Sequence, residues 1–267
     1  MPEPLTDFGA LARNRARACD DGLFLHNRVR DEIHERLKEV NRAFTAPAIV
    51  TPFPSVWQTE FVAAKFIPEA EVLDLAPGAH DLVIHALSLH WANDPVGQLI
   101  QCRRALRPDG LLIAAMFGGQ TLNELRTALA EAEAAVRGGL SPRILPMGDL
   151  RDLGSLLVRA GLNLAVADSD RLEVKYRNIN ALMRDIRAMG EGNSLTTRPR
   201  NFTGRNLFSA AAESYETHFG TPDGLPASFE IIYLTGWAPS NTQQVPLRPG
   251  SAVARLADAL STDETPL

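Results

Sequence analysis

Residues 81–117 constrain the fold more than any other stretch of the chain. Residues 81–89, Asp-Leu-Val-Ile-His-Ala-Leu-Ser-Leu, read as a buried strand. A polar turn from His90 to Asp94, a helix over 95–106, a Pro-Asp-Gly turn and a second apolar strand over 111–117 follow. Strand, helix and strand in that order are the grammar of an open parallel sheet, whose crossovers need room for a helix. Pro95 stands at a helix start, where its missing N–H costs nothing. Such sheets bind ligands outside the carboxyl ends of their strands, so residues 90–94 would line the mouth of any site.

Around this unit the periodicities are readable. Val29, Ile33, Leu37, Val40 and Phe44 make an amphipathic helix, and residues 48–50 and 61–67 are short strand candidates. Thr121 and Glu124 have the spacing of a capping box opening a helix that Gly138 and Gly139 stop. A helix over 149–160 ends at Gly161, a strand covers 164–176, and a helix over 179–189 ends at Gly190. A helix over 205–218 and a strand over 228–237 complete the pattern. The division predicted is an N-terminal helical segment (1–45), a main domain (46–240) with helical cap insertions over 120–220, and a polar, Pro-rich tail (241–267) with a short helix near 252–260.

Composition narrows the function. With 267 residues and a net charge of −5, the chain can bury a large core and shows no global electrostatic case for nucleic acid or an anionic membrane. Its longest apolar run, residues 111–117, is far below the ~18 residues a transmembrane helix needs. Cys19 and Cys102 have no zinc spacing and read as reduced thiols, and residues 1–7 lack the basic and apolar regions of a signal peptide. Arg13, Arg15 and Arg17 hint at a transit peptide, but acidic residues interrupt it. These features predict a cytoplasmic location. Three lysines against abundant arginine suggest a GC-rich bacterial genome.

The turn over residues 106–111, Leu-Arg-Pro-Asp-Gly-Leu, resembles the back half of class I S-adenosylmethionine (SAM) methyltransferases. Segments 88–95, 117–126, 138–142, 188–193 and 248–252 occur in an order similar to that of the methyltransferase-like family of NADH dehydrogenase (complex I) assembly factor 5. A more distant likeness is to the malonyl-ACP O-methyltransferases. The resemblance covers residues 20–260 and implies an α/β fold, a Rossmann-like sheet of seven strands with added helices. It also implies SAM as cofactor and a protein subunit of respiratory complex I as partner. Both methyl transfer and protein-arginine hydroxylation are attributed to the family.

The first half departs from that pattern. The family carries a glycine-rich loop after its first strand, letting backbone N–H groups approach the amino-acid end of SAM. Here no glycine occurs between Gly22 and Gly78, and residues 49–56 read Ile-Val-Thr-Pro-Phe-Pro-Ser-Val. Pro52 and Pro54 donate no N–H, and Phe53 places a ring where the cofactor would lie. Losing two or three ligand hydrogen bonds at roughly 1–3 kcal/mol each weakens binding by orders of magnitude. SAM is therefore a cofactor either retained by another route or lost.

The resemblance assigns Glu69 to the adenine and places His90 and Trp91 beside the cofactor, with Glu60 a weaker candidate for the ribose. Asn93, Asp94, Glu191 and Asn193 would face substrate or partner. Each has a plainer reading. Trp91 packs under the following helix and His90 caps it; Asp94 is an N-cap; Gly190 alone explains the reversal before Glu191. His85, Tyr233 and Trp237 read as core. No catalytic residue is assigned, and no histidine or carboxylate spacing defines a metal site. Two functions compete: a SAM-dependent enzyme acting on a protein side chain, and a non-catalytic relative that acts only as an assembly partner.

Overall fold

Strand β3 (His80–Ala86) is buried along its whole length, as a central parallel strand covered on both faces must be. A computed structural model describes residues 4–244 and Thr262 and places β3 between β1 (Pro47–Val50) and β4 (Leu106–Phe117), parallel to both. Helix α3 (Pro95–Ala105) makes the crossover from β3 to β4. With β2 (Lys65–Ile67), β5 (Asn163–Tyr176) and β6 (Leu225–Trp237), the sheet order is β2-β1-β3-β4-β6-β5, and β6 runs antiparallel to both neighbours. This is the Rossmann-like α/β sheet expected, with six strands among the described residues where the resemblance implied seven.

The shortfall lies in the first half. Residues 51–64, between β1 and its parallel neighbour β2, hold a single 3-10 turn, Pro54–Val56, instead of a crossover helix. Phe61 and Ala64 donate backbone bonds into turns, so the strand expected over 61–67 shrinks to Lys65–Ile67. Residues 68–79 then run to β3 without pairing as a strand.

Alternation along the strands splits the core in two. Ile49, Leu82, Ile84 and Ile113 face α2 (Phe24–Glu39), α4 (Asn123–Arg137), α6 (Ile179–Ala188) and α7 (Arg205–Phe219). Ala48, Val50, Val83 and Leu112 face α3 and α5 (Leu150–Arg159). The side-chain period of two sends adjacent residues to opposite layers. Gly161 and Gly190 adopt the left-handed conformation expected where a helix stops.

Two local expectations are corrected. The helix read over 29–44 ends at Glu39, because Asn41 turns left-handed and redirects the chain. The Thr121–Glu124 capping box does not form. Thr121 Oγ1 instead donates to the Glu230 carbonyl and accepts from the Glu230 N–H, while the Glu124 carboxylate accepts from the Ser228 N–H and hydroxyl. Strand β6 outruns its β4 partner at Ile231, and its remaining backbone groups claim these side chains. The tail helix near 252–260 and the 248–252 segment lie outside the described residues.

The N-terminal segment contains α1 (Phe8–Arg15), capped by the Asp7 carboxylate. No described helix is long and apolar enough to cross a membrane.

Candidate functional site

Chain connections run outward from the boundary between β1 and β3, so the crevice at their carboxyl ends is the switch point where this architecture binds ligands. On the β1 side that crevice is filled by the protein itself. The Phe53 ring meets the His26 ring edge-on at 4.8 Å, and the Arg15 guanidinium carbon lies 5.6 Å from the Phe53 centroid. The Thr51 N–H is donated to Ile67 and the Phe53 N–H to the Thr51 hydroxyl, while Pro52 and Pro54 have none. Residues 51–54 thus offer no free backbone donor to an anionic ligand.

Beside Phe53 lies a buried charge cluster drawn from four distant segments. Arg15, the last residue of α1, donates Nε to Glu69 Oε1 at 3.0 Å and Nη1 to Glu191 Oε1. Glu191 Oε2 accepts from Trp91 Nε1 at 2.7 Å and lies 3.2 Å from His90 Nε2. The Arg15, Glu191 and Glu69 side chains are 7%, 9% and 16% exposed. Burial pushes the Glu191 carboxyl up, but Arg15, His90 and Trp91 outweigh it and hold the group well below the ordinary carboxylate range. Burial opposes the charge on Arg15 too, and the two glutamates more than restore it. His26, desolvated and facing Arg15, is pushed down to about 3 and is neutral. Arg15 Nη2, Glu69 Oε2 and His90 Nδ1 are buried without a hydrogen-bond partner. Buried polar groups ordinarily have a partner, so water or a ligand group has room to bond here.

Four of the seven candidate residues, Glu69, His90, Trp91 and Glu191, converge here. The other three stand outside this cluster, though Asn193 lines the adjoining cavity with Trp91 and Glu191. Asp94 accepts from the Gly97 N–H at 2.8 Å and is the N-cap of α3. Asn93 accepts from the Thr6 N–H at 2.8 Å. Asn193 donates to the Pro142 carbonyl and accepts from the Leu195 N–H. The plainer readings of His90 and Trp91 are corrected: His90 turns to Glu191 and caps nothing, and Trp91 packs with Leu11, Leu145 and Leu195. His85, near Gln98 and Ser88, is the core residue expected. Arg15 is the member of the cluster that the sequence reading does not select, although the spacing of Phe8, Leu11 and Arg15 on one helix face is its sequence signal.

Next to Glu191, at the carboxyl end of β4, a cavity of 390 Å³ is walled by Phe117, Leu125, Met147, Met183 and Phe229. Its volume suits a side chain or a small molecule.

Comparison with known proteins places this chain in a family. Residues 32–114 match the model described as a methyltransferase domain. The chain is 38% identical over 232 residues to "Arginine-hydroxylase NDUFAF5, mitochondrial" of Danio rerio, across 86% of this chain and 72% of that protein. The chain belongs to the NDUFAF5 family. The protein of the same name from Homo sapiens is 37% identical over 220 residues, and the match covers 82% of this chain and 64% of the human one. The match therefore spans less than two thirds of the human relative. Among solved structures, the YcgJ protein of Bacillus subtilis aligns with a TM-score of 0.45 at 14% identity, over 74% of this chain and 94% of that one.

Proposed function

We propose that this protein serves the assembly of respiratory complex I by holding an arginine-bearing segment of a protein subunit, and that it does so without SAM. The observation that carries the absence of SAM from this reading is the β1 crevice. Residues 51–54 present two prolines, two committed N–H groups and the Phe53 ring where a methionine carboxylate would need free donors. The residues present do not fit SAM. The choice of arginine rests on the relatives named as arginine hydroxylases and on the paired carboxylates of Glu69 and Glu191, which already hold one guanidinium. The 390 Å³ cavity beside Glu191 supports a second reading, a catalytic member acting on the held side chain.

Gene deletion and affinity capture test the proposal together. Deletion is expected to lower assembled complex I, and capture of the tagged protein to recover a peripheral-arm subunit. Normal complex I with no such subunit recovered overturns it.

A further inference from the structure

We propose that the N-terminal strap, residues 5–15, is an internal competitor: Arg15 occupies the guanidinium position of the partner site, and an arginine of the partner displaces it. The inference rests on the partner reading above and adds to it that the site is closed at rest.

Three observations carry it. The first is what Arg15 does in the cluster. It takes one oxygen from each glutamate and leaves Nη2, Glu69 Oε2 and His90 Nδ1 unsatisfied. A guanidinium can engage a carboxylate with two parallel bonds, and Arg15 makes no such bidentate pair here. A better-placed arginine would gain hydrogen bonds that the resident one forgoes.

Second, the strap is fastened to loops and not to the sheet. Thr6 donates its N–H to Asn93 and forms an isolated antiparallel bridge with Leu195. The Asp7 N–H donates to Ser194, Asn14 donates to the Gly192 carbonyl, and Arg198 donates to the Asp7 carboxylate. Its one fully buried large apolar side chain, Leu11, joins a small cluster with Trp91, Leu145 and Leu195, apart from the two main cores. An eight-residue helix has little stability of its own, so α1 persists only while these contacts hold. Elements held this way open at a small fraction of the global unfolding free energy.

Third, the strap stands between two cavities. The 390 Å³ cavity reaches Trp91 and Glu191, and another of 460 Å³ reaches Phe8, Leu11 and Glu69. Arg15 bridges the two glutamates, one on each cavity. Phe8 and Leu11 of the strap wall the second cavity, so lifting the strap uncovers Glu69 and frees both carboxylates from Arg15.

A binding site open for only a fraction of the time shows an apparent affinity lowered by that fraction. The test uses the full chain, with N-acetyl-arginine amide as probe and N-acetyl-lysine amide as control, measured by calorimetry. Arg15→Gln is expected to bind the arginine probe at least about tenfold more tightly than the parent protein. Arg15→Gln with Glu191→Gln should lose that gain. Equal affinity in the parent and a folded Arg15→Gln variant overturns the competition. A second measurement avoids substitution altogether. Hydrogen exchange in the parent protein should speed up over residues 5–15, and not over α2, when the arginine probe is added. Unchanged exchange in the strap at saturating probe also overturns the inference. A tenfold gain in Arg15→Gln with normal complex I in the deletion strain would keep the strap mechanism and defeat the complex I role. The reverse result would defeat the strap alone.

Discussion

Arg15 and Glu191 lie 176 positions apart in the chain and meet as a hydrogen-bonded ion pair whose side chains are 7% and 9% exposed. Taking two charges out of water is costly, and mutual attraction with further hydrogen bonds offsets that cost. Glu191 has the larger share of partners, accepting from Trp91 as well as Arg15. Arg15 depends on Glu69 for its second bond. This carboxylate thus adds a charged tie between the N-terminal helix and the loop after α6, beside the Asn14 bond to the Gly192 carbonyl.

Removing that carboxylate leaves a buried guanidinium with half its partners. Glu191→Gln is expected to loosen the strap, read as faster hydrogen exchange over residues 5–15, and to cost the fold no more than about 3 kcal/mol in denaturant unfolding, because Arg15 can leave with the strap. Combined with Arg15→Gln, the double variant should cost less than the sum of the single ones by more than about 1 kcal/mol. Strictly additive costs would show that the pair contributes no mutual stabilisation.

SAM titrated into the purified protein is expected to give no binding stronger than about 1 mM by calorimetry. The reason is local: residues 51–54 have no N–H left to donate, and each absent ligand bond forfeits roughly 1–3 kcal/mol. Low-micromolar binding that disappears in Glu69→Ala would overturn this and restore the SAM-dependent enzyme.

Acid should weaken the fold before carboxylates ordinarily titrate. Burial, then Arg15, pushes His26 down to about 3, and burial pushes His85 down to about 4. In the unfolded chain both histidines protonate near 6.5, so between that pH and the folded values the unfolded state binds more protons. Stability therefore rises with pH across this window and is lost as pH falls, by about 1.4 kcal/mol per pH unit for each proton. Glu191, whose carboxyl is depressed in the folded state, adds a loss of the same sign at lower pH. Denaturant midpoints measured at successive pH values should fall below pH 6.5. His26→Phe should flatten part of that slope, since neither ring nitrogen of His26 has a hydrogen-bond partner. An unchanged slope in His26→Phe would show that this ring titrates normally.

Residues 81–117 announced their βαβ unit in advance because apolar runs, Pro95 and the following turn are local signals, and local signals survive without a partner. The same holds for the stops at Gly161 and Gly190, where a left-handed backbone asks for glycine. The missing glycines after β1 were equally plain in the chain, and they foretold a crevice that the Phe53 ring now fills. Tertiary demand settled the rest. Thr121 and Glu124 have a cap's spacing, yet unpaired backbone groups at the end of β6 claim them, because a buried N–H or C=O must be satisfied wherever its partner comes from. Arg15 belongs to the same class. Its partners stand 54 and 176 positions away, and no periodicity of α1 encodes which carboxylates it will meet. Local rules set where the chain can be helix, strand or turn; long-range electrostatics under burial chose which charges share the site.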